Sequence, residues 1–449
     1  MQRYRSIHAA SAALLLLVAS APAVLAQGKN AVVQKVTLQQ AVSRALSDNA
    51  LLGAARADVD AKKGRLKEAK SYFIPNFTLT ENASRTDNPV YVFMDKLTQE
   101  RFSMSDFQID RLNNPAPLTN YQTRVEMTWP LFTGGKLKAA YRAGKLGVQA
   151  AQNTAAFAES QVREGVTKAF YGALLANRAV SVMKEAVKTA KAHRDQVEAL
   201  YKQGLVLDSD LLRIKVYVSD MEQKEAERKA DLDAARAYLG YAMGMDSDAA
   251  PDGALKNPSS PLPVLARAQK AALLNRGDLE AMRLQHQQAQ QGVKMARAAY
   301  LPDVGVMAAY EWDTESWNQI GNNWMVGLQI RLPLFDGGLR AGKLQTAHAQ
   351  ELQVAKGLLD LEQKIRVQVK EAWLKARAAE QRVAVTEDSV KQAKENQRIV
   401  ALRYKENLAT ITDLLDADMT LTAAKLTRAK AIHDALLQRA RLRWAVGSR

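Results

Sequence analysis

The first regularity along the chain is a two-residue alternation that occurs twice. Tyr121, Thr123, Val125, Met127 and Trp129 alternate with Gln122, Arg124, Glu126 and Thr128. Trp324, Val326, Leu328, Ile330 and Leu332 alternate with Met325, Gly327, Gln329 and Arg331. Successive side chains of a strand point to opposite faces, so each run predicts a β-strand with one apolar and one more polar side. Each has a partner upstream, from Phe77 to Ser84 and from Val304 to Glu311. Together they predict two antiparallel hairpins with strands of about 9–11 residues, the length that crosses a bilayer.

Beyond the strands the period becomes helical. Leu358, Leu361, Ile365, Val369, Ala372, Ala376, Ala379, Val383, Val390 and Ala393 follow spacings of three, four or seven, as in coiled coils. No proline lies between Pro130 and Pro251, and none follows Pro333. Proline inside a helix costs ~3 kcal/mol, so its absence permits very long helices. A helix from Lys136 to Gln203, and another from Leu339 to Glu406, would each measure ~100 Å at 1.5 Å per residue.

The two patterns belong to a duplication. Trp129-Pro130-Leu131-Phe132-Thr133-Gly134-Gly135 matches Leu332-Pro333-Leu334-Phe335-Asp336-Gly337-Gly338, and Tyr201-Lys202 with Asp210-Leu211-Leu212 matches Tyr404-Lys405 with Asp413-Leu414-Leu415. Both matches share one offset, since 333−130 and 404−201 each give 203. Upstream, Phe73-Ile74-Pro75-Asn76 matches Tyr300-Leu301-Pro302-Asp303 at an offset of 227, so the first copy carries 227−203, or 24, extra residues. These fall around Arg85 to Thr119, between two strands, and predict a loop at the cell surface. The division read from the sequence is a segment 1–26, a first repeat 27–245, a linker 246–263 rich in Pro, Ser, Asp and Gly, and a second repeat 264–449. The matched parts of the repeats run from about 36 to 245 and from 264 to 447.

Composition adds a compartment. Arg3 and Arg5 precede an apolar stretch centred on Leu14 to Val18, and Val24-Leu25-Ala26 offers small residues before a cut at Gln27. That is the form of a secretory signal, with an apolar stretch shorter than the ~20 residues a spanning helix needs. Cysteine is absent, which excludes disulfides, thiol catalysis and an N-terminal lipidated cysteine. The formal charge of +16 becomes +14 once Arg3 and Arg5 leave with the signal. Because Lys and Arg are spread among Glu, Asp and Gln along the helices, the charge reads as solvated helix faces, and no nucleic-acid partner is expected.

Four strands cannot close a membrane barrel, and an open sheet in lipid leaves backbone groups unpaired at several kcal/mol each. The chain is therefore expected to oligomerise. Two copies would give eight strands and a filled interior, and three would give twelve and an open lumen.

The paired Pro-Leu-Phe-x-Gly-Gly motifs, the Tyr-Lys-x-Gly/Asn-Leu helix tips and the duplicated strand-strand-helix order resemble the TolC-like outer-membrane efflux proteins, over nearly the whole mature chain. The resemblance implies a mostly α fold with membrane β: a homotrimer with a 12-stranded barrel in the outer membrane, continued by a periplasmic α-helical barrel. It implies an exit duct of a tripartite efflux or type I secretion system, partnered by a periplasmic adaptor and an inner-membrane pump. It also implies a closed periplasmic entrance at the helix tips, Tyr201 to Leu211 and Tyr404 to Asp416, with a carboxylate ring at Asp413 and Asp416 and with Tyr404 helping to hold it shut. Ala409 stands where the family has an arginine, which removes one latching salt bridge. The adaptor-docking signature falls on Gly204, Leu205, Asp210, Asn407 and Leu408.

Plainer readings stand beside these. Asp210 and Asp413, equivalent at the 203 offset, each fit an N-terminal helix cap worth ~1 kcal/mol. Asp416 does not fit a cap, and its counterpart is Arg213. Gly204 and Asn407 fit the left-handed residue that ends a helix. Gly337-Gly338-Leu339-Arg340-Ala341-Gly342-Lys343 has the spacing of a phosphate loop, but Leu344 stands where Mg²⁺ needs a hydroxyl, and the first copy has Ala139 and Ala140 where the Gly-Lys would fall. His193, His286, His348 and His433 show no metal-ligand spacing. No enzyme activity, cofactor or metal is expected. The competing reading is a periplasmic coiled-coil adaptor or structural protein, which shares the long helices but not the two-faced strands.

Overall fold

The computed structural model describes residues 34–448 apart from 259 and 317. The signal segment 1–26 and the cut at Gln27 lie outside the described residues. In chain order the elements are β1 (Gln34–Val36), α1 (Leu38–Asp48), α2 (Ala50–Ser71), β2 (Asn76–Thr86), α3 (Pro89–Thr98), α4 (Ile109–Asn113), β3 (Leu118–Thr133), α5 (Lys136–Lys202), α6 (Asp208–Ala242), β4 (Ala249–Pro251), α7 (Leu265–Asn275), α8 (Gly277–Ala298), β5 (Asp303–Thr314), β6 (Gly321–Arg331), α9 (Leu339–Lys405) and α10 (Ile411–Val446).

The alternating runs form one four-stranded antiparallel sheet in the order β2-β3-β5-β6. The two hairpins join through β3 and β5, and the register keeps like with like. Phe77 pairs with Met127, Val125 with Tyr310, Ala308 with Val326 and Val306 with Leu328. Cross-strand partners share a face, so the apolar positions line up on one side. Gln122 pairs with Asp313 and Arg124 with Glu311 on the other. Strands β2 and β6 each pair on one side only, leaving two free edges among the described residues.

Each half of the sheet passes into a long helix through a double glycine. Gly134 and Gly135 have φ of 59° and 86°, and Gly337 and Gly338 have 61° and 91°. Two left-handed residues in succession suit glycine alone. At Gly134 space decides as well, because a Cβ would stand 2.6 Å from the Ala298 carbonyl oxygen.

Helices α5 and α9 are 67 residues each, ~100 Å long. Each is faced by two shorter helices set end to end, α2 with α6 and α8 with α10. The joints sit at Gly244 and Gly447, another pair at the 203 offset, both at φ 74°. A Cβ on Gly244 would stand 2.9 Å from the Asp48 carbonyl oxygen, and one on Gly447 would stand 3.0 Å from the Arg276 nitrogen. The spacings read as coiled-coil-like produce a buried stripe of Ile365, Val369, Ala372, Ala376, Ala379, Val383 and Ala393.

Around the joints lies a packed belt. Val36, Ala41, Ala45 and Leu52 bury against Val162, Val166 and Phe170 of α5, closed by Leu239, Met243 and Ala249. In the second repeat Ala268, Ala272 and Leu279 pack on Ile365, Val369 and Leu442. The segment 246–263, read as a linker, is part of this belt. Its strand β4 pairs in parallel with β1, and the Trp373 indole N–H donates to the Pro263 carbonyl at 2.8 Å. Backbone groups that approach a buried layer need partners, and β1 and β4 supply them to each other. No helix among the described residues is long and apolar enough to cross a membrane.

Candidate functional site

Two regions concentrate polar and charged groups: one face of the sheet and the far ends of the long helices. On the sheet, Arg124 lies 2.9 Å from Glu311 and 3.1 Å from Glu126. Gln122 donates to Asp313 at 3.3 Å, and Asn120 donates to the same carboxylate at 2.7 Å. This network occupies the face opposite Val125, Ala308 and Val326, so the sheet has a wet side and a greasy side. The greasy side is bounded by aromatic rings. Tyr310 and Trp312 meet at a tilt of 49° with ring centroids 4.6 Å apart towards the loop end, and Trp129 at the helix end donates its indole N–H to the Phe73 carbonyl at 3.1 Å.

The segment carrying the 24 extra residues, read as a loop, contains helices α3 and α4. Asn88 caps α3, Pro89 takes its first turn, and Phe93, Phe102 and Phe107 meet edge to face at 4.8 and 5.1 Å. Lys96 reaches Asp106 at 2.7 Å, and this bond with those from Ser103 lowers the Asp106 carboxyl to about 2. Burial and the charge of Asp313 raise Asp95 of α3 above the usual carboxylate range.

At the far end each long helix closes with the same turn. The Leu205 N–H donates to the Leu200 carbonyl and the Gly204 N–H to that of Tyr201, at 3.0 and 2.9 Å. In the second repeat Leu408 bonds to Arg403 and Asn407 to Tyr404, at 2.8 and 3.1 Å. These paired bonds require a left-handed residue, supplied by Gly204 at φ 74° and Asn407 at φ 59°. The turn leaves Leu205 and Leu408 exposed at the extreme tips.

The next helices start differently. Thr410 caps α10, accepting from the Asp413 N–H at 3.2 Å, while the Asp413 carboxylate accepts from the Thr410 N–H and hydroxyl at 2.9 and 2.7 Å. Those bonds hold the Asp413 carboxyl below its usual range. Helix α6 starts from Leu207, whose side chain caps nothing, with Asp208 and Asp210 in the first turn. Asp210 and Asp413 therefore stand three residues inside their helices, not at the cap. Asp413 contributes the reciprocal half of a capping box instead. Asp416 follows one turn later, exposed like Asp413.

All four long-helix ends share one core. Val187, Ala190 and Val197 of α5 and Ile214, Val218 and Met221 of α6 pack with Ile411, Leu414 and Leu415 of α10, with Tyr404 of α9 against them. The Tyr404 hydroxyl is buried without a hydrogen bond among the described residues. Burial and the charge of Asp210 raise its pKa. Tyr201 is exposed and bonds to Asp208 of its own tip, which also raises it. Arg213, the counterpart of Asp416, crosses between the tips and donates to the Thr412 hydroxyl at 2.7 Å.

Sequence reasoning missed a polar knot higher in this core. Asp418 is buried, with His193 Nε2 3.1 Å from one carboxylate oxygen and Gln397 donating to the other at 3.0 Å. Burial and Asp418 together push the Tyr217 phenol well up. A signal existed. Ile411, Leu414, Leu415 and Asp418 occupy i, i+3, i+4 and i+7, so an acid stands in a core slot.

The phosphate-loop spacing carries no anion cradle. Asp336 fills the helix N-terminus, accepting from the Gly338 and Arg340 amides at 3.2 and 3.1 Å and from the Arg340 Nε at 2.7 Å. Among the described residues no group of three or more His, Asp or Glu is placed to hold a metal.

Comparison with known proteins agrees on one family. A family model described as outer membrane efflux protein matches residues 41–245 and 269–448. The outer membrane efflux protein BepC of Brucella suis is 24% identical over 427 residues, covering 89% of this chain and 83% of its own. The alkaline protease secretion protein AprF of Pseudomonas aeruginosa is 26% identical over 299 residues, covering 63% and 60%. The CmeC outer membrane channel of Campylobacter jejuni matches with a TM-score of 0.79 over 92% of this chain and 85% of that one, at 16% identity, a likeness of fold.

Proposed function

The chain belongs to the outer membrane efflux protein family, and from that premise we propose that three copies close their sheets into one twelve-stranded barrel, continued by a tube of long helices. The protein is an outer-membrane exit channel of an efflux or type I secretion system, extending into the periplasm, and not an enzyme. It works with a pump and an adaptor.

The observation that carries the three-copy reading is a sheet with two free edges, one apolar face and one charged face. In lipid both edges must be paired, and the only strands at hand are those of other copies. With three copies the apolar face meets lipid, and Arg124, Glu126, Glu311 and Asp313 face a lumen wide enough to hydrate them. A periplasmic coiled-coil adaptor has no use for such a sheet. The tips then converge at the periplasmic mouth, where Asp413 and Asp416 form the carboxylate ring and Tyr404 wedges the two tips of each copy together. Gly204, Leu205, Asp210, Asn407 and Leu408 form the adaptor-docking turns, since exposed leucines on rigid turns suit an apolar contact.

Native mass spectrometry of detergent-extracted protein tests this, with the trimer as the expected species. A monomer that keeps channel activity would overturn it. Release from membranes by carbonate would favour the adaptor reading. A tag near Asn113 is expected to be labelled on intact cells, and labelling only after permeabilisation would reverse the topology.

A further inference from the structure

Helix α3 is not a passive surface loop. It lies over the loop end of the charged face of the sheet. Gln99, fully buried, donates to the Asn120 side chain at 2.9 Å and to the Thr119 carbonyl at 3.1 Å. Asn120 belongs to the network on Asp313, so α3 sits on the wet side. Its C-terminal end is fastened to the turn between β5 and β6. Gln319 donates to the Glu100 carbonyl at 3.1 Å, Arg101 pairs with Glu315, and Asn323 donates to the Thr98 carbonyl at 3.4 Å. Gly321 is pressed so close to Thr98 that a Cβ could not be accommodated.

This seating turns Val92, Asp95, Lys96 and Gln99 inward and leaves Val90, Tyr91, Met94 and Leu97 exposed on the opposite face, with no charge among them. A stripe at that spacing is the buried side of an amphipathic helix, yet in one copy none of the described residues covers it. Dimensions say what does. Twelve strands ~4.8 Å apart and tilted ~40° make a ring of ~24 Å backbone diameter. A helix seated on the inner wall projects ~10 Å towards the axis. Three such helices leave almost no gap between them.

We propose that the α3 helices of the three copies meet on the pore axis through Val90, Tyr91, Met94 and Leu97, forming an apolar constriction at the outer mouth of the channel. The inference rests on the three-copy barrel proposed above. A narrow apolar ring resists wetting and slows ions until cargo parts it. The channel is thus lined by a carboxylate ring at its periplasmic end and narrowed by an apolar ring at its outer end.

The chain has no cysteine, so Met94→Cys provides a single thiol per copy. Oxidation of the trimer is expected to link about two-thirds of the chains as pairs, because threefold symmetry leaves one thiol in three without a partner. A lone copy exposes Met94 at 54% and Met104, elsewhere on the insertion, at 84%. In the trimer a bulky impermeant maleimide on intact cells should label Met94→Cys at least tenfold more slowly than Met104→Cys. Tyr91→Cys repeats both readings if Met94→Cys fails to assemble. A native trimer whose Met94 and Tyr91 thiols neither cross-link nor resist labelling overturns the constriction and leaves the barrel standing. Protection without cross-linking assigns the face to lipid or another partner and also overturns it. A monomer overturns both proposals together.

Discussion

The first and second helical tips are equivalent residue by residue at an offset of 203, yet they are built differently. In the second, Thr410 and Asp413 lock the start of α10, and Leu414 and Leu415 are both buried. In the first, α6 starts at an uncapped Leu207, and Leu212, the counterpart of Leu415, is 63% exposed. The tyrosines diverge in the same direction, Tyr404 into the shared core and Tyr201 into solvent. What fastens the looser tip comes from its partner, where Arg213 reaches the Thr412 hydroxyl. The duplication thus supplies one shape twice, and divergence makes one tip the anchor and the other the dependent arm. For the periplasmic entrance proposed above, that inequality would let the arm be released without unfolding the anchor.

The largest expected effect separates the two leucines. Leu415→Ala should destabilise the anchor tip by about 3 kcal/mol, whereas Leu212→Ala should cost less than about 0.5 kcal/mol. Hydrogen exchange of the tip amides reads both. Equal losses would break the comparison and place Leu212 under a neighbouring copy.

Next in size is the charge contrast between Asp416 and Arg213. Asp416→Ala should weaken cation preference in planar bilayers and raise the trivalent-cation concentration for half-block about tenfold, which is ~1.4 kcal/mol. Arg213→Ala should instead raise resting conductance and move the block by less than about twofold. If Asp416→Ala leaves selectivity and block unchanged in an intact trimer, this residue is not at the mouth.

Capping gives a smaller, reciprocal effect. Thr410→Ala should cost the anchor ~1 kcal/mol, and Leu207→Thr, with Asp210 already in place three residues on, should stabilise the arm by about as much. Proteolysis of the tips measures both, and a Leu207→Thr protein cut as readily as the parent would refute the equivalence.

The smallest effect is on pH. Because the Asp413 pKa is lowered from 3.8 in the folded state, its contribution is complete above that value and is lost as pH falls through the lower folded one. Tip protection should therefore decline below about pH 4, and Asp413→Asn should remove that decline. An unchanged decline in the variant would show that other carboxylates cause it.

Much of this was legible in the chain. The alternations gave the strands and their faces, the absence of proline allowed the long helices, and the double glycines and the tip motifs marked their ends to within a residue. Over the insertion the Asn, Pro and Asp residues point to a loop and mask the helix carried by Val90-Tyr91-Val92-Phe93-Met94. Asn88-Pro89 is also a helix start, and only packing on Asn120 and Gly321 decides between the two. Asp210 and Asp413 fit a cap in the sequence because acids favour helix starts generally, and a shift of three residues leaves that preference intact.

The sequence by itself determined everything local. Periodicity follows from backbone geometry, and left-handed turns follow from glycine and asparagine, within a few neighbouring residues. Tertiary structure alone decided which groups meet: Asn120 with Asp313, Arg213 with Thr412, His193 with Asp418, and α3 with the charged face. These partners lie about 20 to more than 200 residues apart and carry no periodic signal. Their pairing is set by the register of the sheet and the convergence of four helices, which no local stretch contains.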